Sequence, residues 1–159
     1  MVDEQATSQL KGLEELPSLP FVDKYSIGNY YYVRECYDEY YKLVKDMLDD
    51  KDDCITVTGT PGIGKSIFYA YFFQRFRKEM KGNDMWIIAA AYRGAELNAA
   101  IGYKDNDDDA KEILSDEEIN DFIRAAWKKK KSVILLCDGP PNRTRGWTQT
   151  VVFTSPNER

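Results

Sequence analysis

The chain contains no histidine among its 159 residues. That absence excludes Ser-His-Asp and Cys-His nucleophilic mechanisms, and it excludes metal sites built on imidazole. Cysteine is scarce, with only Cys36, Cys54 and Cys137, an odd number at spacings that match no metal-binding pattern. Cys54 and Cys137 fall in apolar runs that predict buried strands, so we expect reduced thiols in the core.

Long apolar runs and a strong net charge are also missing. No run approaches the roughly 20 residues that a membrane-spanning helix needs. Met1–Pro20 is acidic and polar and shows no signal peptide, so we expect a flexible segment over 1–20 and one soluble intracellular domain over 21–159. The net charge of −5 argues against nucleic-acid binding by the whole surface, although a local basic patch stays open.

Residues 59–66 match the phosphate-binding pattern G-x-x-x-x-G-K-[ST] of the P-loop. They are Gly59, Thr60, Pro61, Gly62, Ile63, Gly64, Lys65 and Ser66. A β-branched strand is predicted before them (Cys54–Thr58) and a helix after them, from about Gly64 to Lys81. In such a loop the main-chain amides hold the β-phosphate, Lys65 reaches the β- and γ-phosphates, and Ser66 ligates Mg²⁺. The alternative is a glycine-rich turn with a chance lysine.

A second half of the same kind of site is predicted at Val133–Asp138. This apolar run is typical of a strand buried on both faces, and Gly139-Pro140-Pro141 ends it. Side chains at the carboxyl ends of parallel strands share one crevice, so we expect Asp138 near Ser66. Asp138 would then hold Mg²⁺, directly or through water, as the Walker B aspartate does.

The remaining patterns predict alternating helices and strands, and therefore an α/β fold. The predicted elements are a helix over Tyr30–Asp50, a strand over Met85–Tyr92, a polar loop over Arg93–Asp109, a helix after the capping box at Ser115 and a strand over Gln149–Thr154. Lys128–Lys131 ends the helix that follows Ser115, and the negative end of that helix's dipole favours cations there. A nucleic-acid patch is the alternative for these lysines.

The separation of the two motifs predicts a strand order. An extra strand and helix lie between the P-loop and Asp138, which is the additional-strand plan of AAA+, STAND and RecA-like ATPases. In that plan, a mainly parallel sheet of about four strands places the strand after Asp138 between the two motif strands. That strand would end in a polar residue that senses the γ-phosphate, for which Thr154, Ser155 and Asn157 are the candidates. The absence of an N-K-x-D motif favours ATP over GTP.

Several motifs in order resemble the P-loop ATPase domain of Crinkler-type effectors and retrotransposon-hot-spot proteins. The motifs are Val33–Cys36, Gly59–Ser66, Tyr71–Arg77, Asp138–Pro141 and Phe153–Asn157. The resemblance runs from about Tyr30 to the end. It implies a STAND/AAA-like ATPase with nucleotide on Gly59–Ser66, Mg²⁺ on Ser66 and Asp138, and a sensor role for Thr154 or Asn157. Because no translocation header or signal peptide is visible, delivery into a host cell is not carried over.

The sequence also raises two hypotheses about completeness and turnover. Without a fifth strand beyond it, Cys54–Thr58 would be an open edge, so the fold would be truncated, or completed by a partner or a second copy. Gly139 stands where related ATPases place a glutamate that orients water. Hydrolysis is therefore expected to be slow, or to use another carboxylate such as Glu96.

Other residues near the predicted site have open roles. Arg143 and Arg145 could supply charge to the γ-phosphate or could be surface residues without a role. Arg34 and Tyr30–Tyr32 precede the P-loop strand, where an adenine pocket is an alternative to core packing. Three functions stay open: a Mg²⁺-dependent ATPase with Lys65, Asp138 and Asn157 as its catalytic residues, a nucleotide-gated interaction protein, and a small-molecule or nucleotide kinase.

Overall fold

The computed structural model describes residues 10–21, 30–58, 65–104, 109–142, 145 and 148–154, without the side chains of 10, 11 and 65. Within them the chain forms eight strands and three helices. The strands are β1 (Leu10–Glu15), β2 (Tyr30–Arg34), β3 (Cys54–Val57), β4 (Met85–Arg93), β5 (Glu96–Tyr103), β6 (Lys111–Ile113), β7 (Ser132–Asp138) and β8 (Gln149–Phe153). The helices are α1 (Cys36–Asp49), α2 (Lys65–Glu79) and α3 (Asp116–Lys128).

Six of the strands, and not the predicted four, form one mixed sheet in the order β3-β8-β7-β4-β5-β6. The pairs from β3 to β4 are parallel, whereas β5 and β6 continue the sheet antiparallel. The predicted insertion of the strand after Asp138 between the two motif strands is therefore confirmed. Among the described residues β3 is an edge strand, as the sequence predicts.

Helices cover both faces of the sheet because its central strands are apolar throughout. α1 and α2 pack on one face, where Phe68, Phe72 and Phe153 belong to an aromatic core. α3 packs on the other face through Ile119, Phe122, Ile123 and Ala126, which are spaced for one side of a helix. The fold is thus a three-layer α/β/α arrangement.

The capping box predicted at Ser115 explains where α3 begins. The Ser115 hydroxyl accepts a hydrogen bond from the Glu118 amide at 3.1 Å. The Glu118 carboxylate in turn accepts one from the Leu114 amide at 2.6 Å. Two main-chain donors at the helix start are therefore satisfied locally.

Two element predictions need correction at the N-terminal side. The predicted helix over Tyr30–Asp50 begins only at Cys36, because Tyr30–Arg34 forms β2. β2 pairs antiparallel with β1, so part of the segment predicted to be flexible over 1–20 is strand. Alternation of exposed and buried residues along β2, with Tyr31 and Val33 inward, is the strand signal that the helical interpretation overlooked.

The largest correction concerns the polar loop predicted over Arg93–Asp109. The chain instead turns at Gly94 and Ala95, both with positive φ, and returns as β5 beside β4. Its residues alternate between exposed and buried only in part, which hid the strand. Of the acidic run, Asp109 is exposed and the other members lie outside the described residues.

Some side chains expected in the core are exposed. Cys54 is exposed on the edge strand β3, while Cys137 is buried as expected and Cys36 is intermediate. Trp127, near the end of α3, is 46% exposed. No helix in the part of the chain that the structure describes is both long and apolar enough to cross a membrane.

Candidate functional site

The fold brings Ser66 and Asp138 together, as the motifs predict. The Ser66 hydroxyl donates a hydrogen bond of 2.9 Å to Oδ1 of Asp138, across 72 positions of sequence. Asp138 is fully buried and Ser66 is 5% exposed. A carboxylate withdrawn from water in this way needs polar partners, and the hydroxyl is one of them.

Strand register explains why these two residues meet. Phe153 of β8 lies level with Val57 of β3 on one side and with Asp138 of β7 on the other. Asp138 is in turn level with Ala91 of β4. Three parallel strands, β3, β8 and β7, therefore end in one row, while β4 runs two residues further to Arg93. The Ser66 contact places the first turn of α2 at that row. This is the edge of an α/β sheet where ligands bind.

The row is extended by two further main-chain hydrogen bonds. The Thr154 amide donates to the Val57 carbonyl at 3.0 Å, and the Gly139 amide donates to the Phe153 carbonyl at 2.9 Å. Thr154 is buried at 6% exposure, between the ends of the two motif strands. Thr154, one of the three sensor candidates, therefore lies at this edge, and its sensor role stays a prediction.

Aromatic packing fixes the start of α2 relative to the sheet. The Phe153 ring lies 5.7 Å from Phe68 and 5.8 Å from Phe72, measured between ring centroids. Tyr69 is fully buried and donates to the Pro20 carbonyl at 3.0 Å. Burial raises the pKa of Tyr69, and the nearby charge of Asp138 raises it further. The neutral phenol and the rigid rings hold Ser66, in the first turn of α2, against Asp138.

The oxygen pair fits a hard divalent cation. Mg²⁺ takes octahedral oxygen ligands at about 2.1 Å, so neighbouring ligands lie about 3.0 Å apart. The separation of 2.9 Å between Ser66 Oγ and Asp138 Oδ1 is an ordinary hydrogen-bond length, and it also allows both oxygens to be neighbouring ligands of one ion. Two protein oxygens suit Mg²⁺, which keeps several waters and takes further ligands from phosphates. In the described part of the chain no group of three or more carboxylate or thiol residues is placed to hold a metal ion.

Several predicted site residues fall outside the described residues. These are Gly59, Thr60, Pro61, Gly62, Ile63, Gly64, Arg143, Ser155 and Asn157. Lys65 is the first residue of α2, and only its main chain is described. The phosphate-binding role of the loop, the Lys65 ammonium and the Asn157 sensor therefore stay predictions.

Arg145 is bound to side chains of α3. Its Nε donates to Asn120 at 2.7 Å, and its guanidinium forms an ion pair with Asp116 at 3.2 Å. Asp116 also accepts a hydrogen bond of 2.8 Å from the Tyr92 hydroxyl, and burial followed by that bond raises the pKa of Tyr92. Sequence patterns gave no signal of this network, which joins the loop after Asp138 to the first turns of α3.

Glu96, the carboxylate considered as a base, is exposed at the start of β5. Its neighbour Ala95 forms an isolated parallel bridge with Pro141. Glu96 thus lies beside the loop that follows Asp138.

The tyrosines before β3 divide between core and surface. Tyr31 is buried and donates a hydrogen bond to the Gln74 side chain on α2. Tyr30 and Tyr32 are exposed, and Arg34 is exposed as well. Packing accounts for Tyr31, and an adenine-binding role for the exposed residues stays a prediction.

Two of the four lysines at the end of α3, Lys129 and Lys131, make contacts within the fold. Lys129 caps the helix, and Lys131 forms an ion pair of 2.6 Å with Asp84. The Lys129 ammonium also lies 5.8 Å from the centre of the Trp86 ring. These contacts favour the helix-end interpretation over a nucleic-acid patch.

A scan against protein-family models, a search of curated proteins and a search of solved structures each returned no match. The functional interpretation therefore rests on the residues and their geometry.

Proposed function

We propose that this protein binds a nucleoside triphosphate, ATP by preference, together with Mg²⁺ at the carboxyl edge of strands β3, β8 and β7. The observation that supports it most is the buried contact between Ser66 and Asp138. The two residues come from separate motifs. Alone, an aspartate that ends a strand is usually a turn residue, and its pairing with the P-loop serine is what favours a metal role. The spacing of the two oxygens allows both to bind one Mg²⁺.

Each residue has a defined role in this proposal. Gly59–Ser66 would surround the β-phosphate with main-chain amides, and the Lys65 ammonium would contact the β- and γ-phosphates. Ser66 and Asp138 would hold Mg²⁺, whose positive charge offsets that of the phosphate oxygens. Thr154, or Asn157 beyond it, would contact the γ-phosphate. The resemblance to Crinkler and retrotransposon-hot-spot ATPases is part of the same proposal, and it rests on the quoted motifs.

We further propose that turnover is slow. Gly139 follows Asp138 and carries no side chain that could orient a water molecule. The pairing of Arg145 with Asp116 and Asn120 leaves that guanidinium committed to α3. Glu96 is the carboxylate on which any hydrolysis would depend, since it adjoins the loop after Asp138.

A nucleotide-gated interaction protein is the second candidate, and one observation favours it. The Arg145 network links the loop after Asp138 to the start of α3. A change at the metal site could therefore shift α3 without any hydrolysis. The kinase alternative, which relied on free arginines for a lid, gains no support from Arg145. Self-association through the open edge of β3 also stays a proposal, which light scattering would test.

Lys65→Ala tests the nucleotide proposal. The substitution removes a charge directed at the phosphates, so we expect ATP affinity to fall about ten-fold or more while the thermal midpoint changes little. Lys81→Ala is the matched control, because Lys81 is exposed just beyond α2. Calorimetric titration with ATP, ADP and GTP measures the affinities. Equal ATP affinity in Lys65→Ala and the parent would contradict the proposal.

Phosphate release separates the two candidates. A steady-state rate that Lys65→Ala and Glu96→Gln both abolish supports an ATPase with Glu96 as base. Binding of ATP with no release above that of Lys65→Ala supports the nucleotide-gated interaction protein. Phosphate transferred to an added acceptor would instead support a kinase.

A further inference from the structure

A short segment between β1 and β2 lies along α2 and leads toward the candidate nucleotide site. This segment, Leu16–Phe21, follows β1 and forms neither helix nor strand. Pro17 and Pro20 restrict its backbone and carry no N–H group, which suits a chain that crosses an apolar surface without a strand partner. Leu16–Phe21 is called the N-terminal strap below.

Two hydrogen bonds give the direction of the strap along α2. The Gln74 side chain donates to the Glu15 carbonyl at 2.9 Å, where β1 ends. Nearer the start of α2, the Tyr69 hydroxyl donates to the Pro20 carbonyl at 3.0 Å. The strap therefore runs antiparallel to the helix, toward Ser66 in its first turn.

Apolar contacts hold the strap on the core. Leu16, Leu19 and Phe21 are partly buried and pack against the aromatic core that α1, α2 and the sheet share. The Phe21 ring meets the Tyr69 ring edge to face, with centroids 5.6 Å apart and planes at 83°. The Tyr69 ring also lies 5.6 Å from that of Phe153, the last residue of β8. Tyr69 thus joins the strap to the row where the parallel strands end.

Tyr69 also joins the strap to the metal-binding pair. It lies three residues after Ser66 on α2, so both side chains fall on one side of the helix. Tyr69 is fully buried; burial raises the pKa of its phenol, and the nearby charge of Asp138 raises it further. A buried hydroxyl needs a partner, which the Pro20 carbonyl supplies. Loss of that partner would disturb the turn of α2 in which Ser66 donates to Asp138.

From these contacts we infer that the N-terminal strap is a positioning element of the nucleotide site, with Pro20 and Phe21 as its positioning residues. Docked on Tyr69, the strap holds Ser66 close enough to Asp138 for both to bind one Mg²⁺. The inference rests on the proposed function and extends it to the regulation of the same site. Because such coupling is reciprocal, Mg²⁺ and ATP together stabilise the docked strap.

Calorimetric titration of ATP with and without Mg²⁺ tests the positioning role, at a temperature where circular dichroism shows every variant to be folded. Phe21→Ala removes the ring that packs on Tyr69, so we expect the gain in affinity from Mg²⁺ to fall from about ten-fold to about two-fold, with little change in metal-free affinity. Tyr69→Phe loses only the hydroxyl and should leave a gain of about five-fold. Phe21→Leu keeps an apolar side chain and should restore most of the gain. Ser18→Ala, at an exposed position of the strap, is the matched control and should change neither affinity.

Hydrogen exchange of the main-chain amides measures the same coupling from the other side. Mg²⁺ and ATP together should slow exchange in the strap several-fold, whereas ATP without metal should have little effect. In the absence of nucleotide, Phe21→Ala should speed exchange of the amides of Tyr69 and Ala70, because these amides close the first turn of α2. Ser18→Ala should leave this exchange unchanged.

Three results would overturn the inference. Equal weakening of ATP binding with and without Mg²⁺ in Phe21→Ala would indicate that the strap contacts the nucleotide directly. A full Mg²⁺ gain in both Phe21→Ala and Tyr69→Phe would show that the strap does not position the pair. Unchanged exchange at Tyr69 and Ala70 would show that it does not hold the first turn of α2. Failure of the proposed function is distinct, since the parent would then bind no ATP, while the exchange measurement needs no nucleotide.

Discussion

The two halves of the six-stranded sheet differ in strand direction and in burial. In the parallel half, β7 and β4 are buried along almost their whole length, and β7 ends level with β8 and β3. In the antiparallel half, β5 is exposed over its first residues, and β6 is short and open. The first half presents a buried polar pair, Ser66 and Asp138. The second presents an exposed edge with charges of both signs.

The difference follows from how parallel and antiparallel strands are connected. Parallel strands need long crossovers, so residues distant in sequence meet at their common end. A buried oxygen pair there suits a compact ion and phosphates. An antiparallel extension needs only a tight turn, and it leaves an edge whose main chain can pair with another segment. Comparing substitutions in the two halves tests whether they are separable.

The largest effect is expected in the parallel half, for Phe153→Ala. This ring is fully buried among Phe68, Tyr69 and Phe72, so its removal should lower the free energy of unfolding by about 3–5 kcal/mol. Urea denaturation followed by circular dichroism measures the loss. Leu114→Ala is the control from the antiparallel half, and its 72% exposure limits the expected change to about 0.5 kcal/mol. Similar losses in both variants would show that the aromatic core is placed wrongly.

In the antiparallel half, Gly102→Ala should cost about 1–3 kcal/mol, because the new Cβ displaces the Phe122 ring. ATP affinity should not change, since the displaced ring is on the face opposite Ser66. Urea denaturation gives the first quantity and calorimetry the second. Ala99→Ser, at an exposed position of the same strand, is the control. A simultaneous loss of ATP affinity would mean that the two halves of the sheet are coupled.

A smaller effect is expected at alkaline pH, from Tyr69 beside Asp138. Burial raises the pKa of Tyr69 above its usual value of 10.0. The unfolded chain therefore releases this proton first, and the stabilisation present below pH 10 is lost as pH rises. Between pH 10 and pH 11 this proton should lower the free energy of unfolding of the parent by about 1 kcal/mol. Tyr69→Phe should abolish that part of the loss. Urea midpoints at several pH values measure this. Tyr32→Phe, at a 60% exposed ring, is the control, and equal slopes for both variants and the parent would refute the effect.

Sequence patterns predicted the parallel half well because its signals are local. The run Val133–Asp138 and the glycine loop each mark a strand end, and parallel order then places Asp138 near Ser66. The capping box at Ser115 predicted the start of α3 for the same reason, since its hydrogen bonds span four residues.

The antiparallel half was missed because its signals are tertiary. β5 alternates only partly, and its stability comes from pairing with β4 and from Phe122 lying on Gly102. The predicted helix start at Tyr30 was wrong, because Tyr30–Arg34 forms β2 and this strand depends on pairing with β1. The contact of Arg145 with Asp116 and Asn120 joins parts of the chain that no local pattern relates.

The most direct test of the central proposal is calorimetric titration of ATP, with and without Mg²⁺, into the parent and Asp138→Asn. Asparagine keeps the shape of the side chain and can still accept a hydrogen bond from Ser66, but it loses the charge that holds the metal. We predict that Mg²⁺ strengthens ATP binding to the parent about ten-fold, that Asp138→Asn loses this gain, and that metal-free affinity changes little. Equal weakening with and without Mg²⁺, or no ATP binding by the parent, would contradict the account.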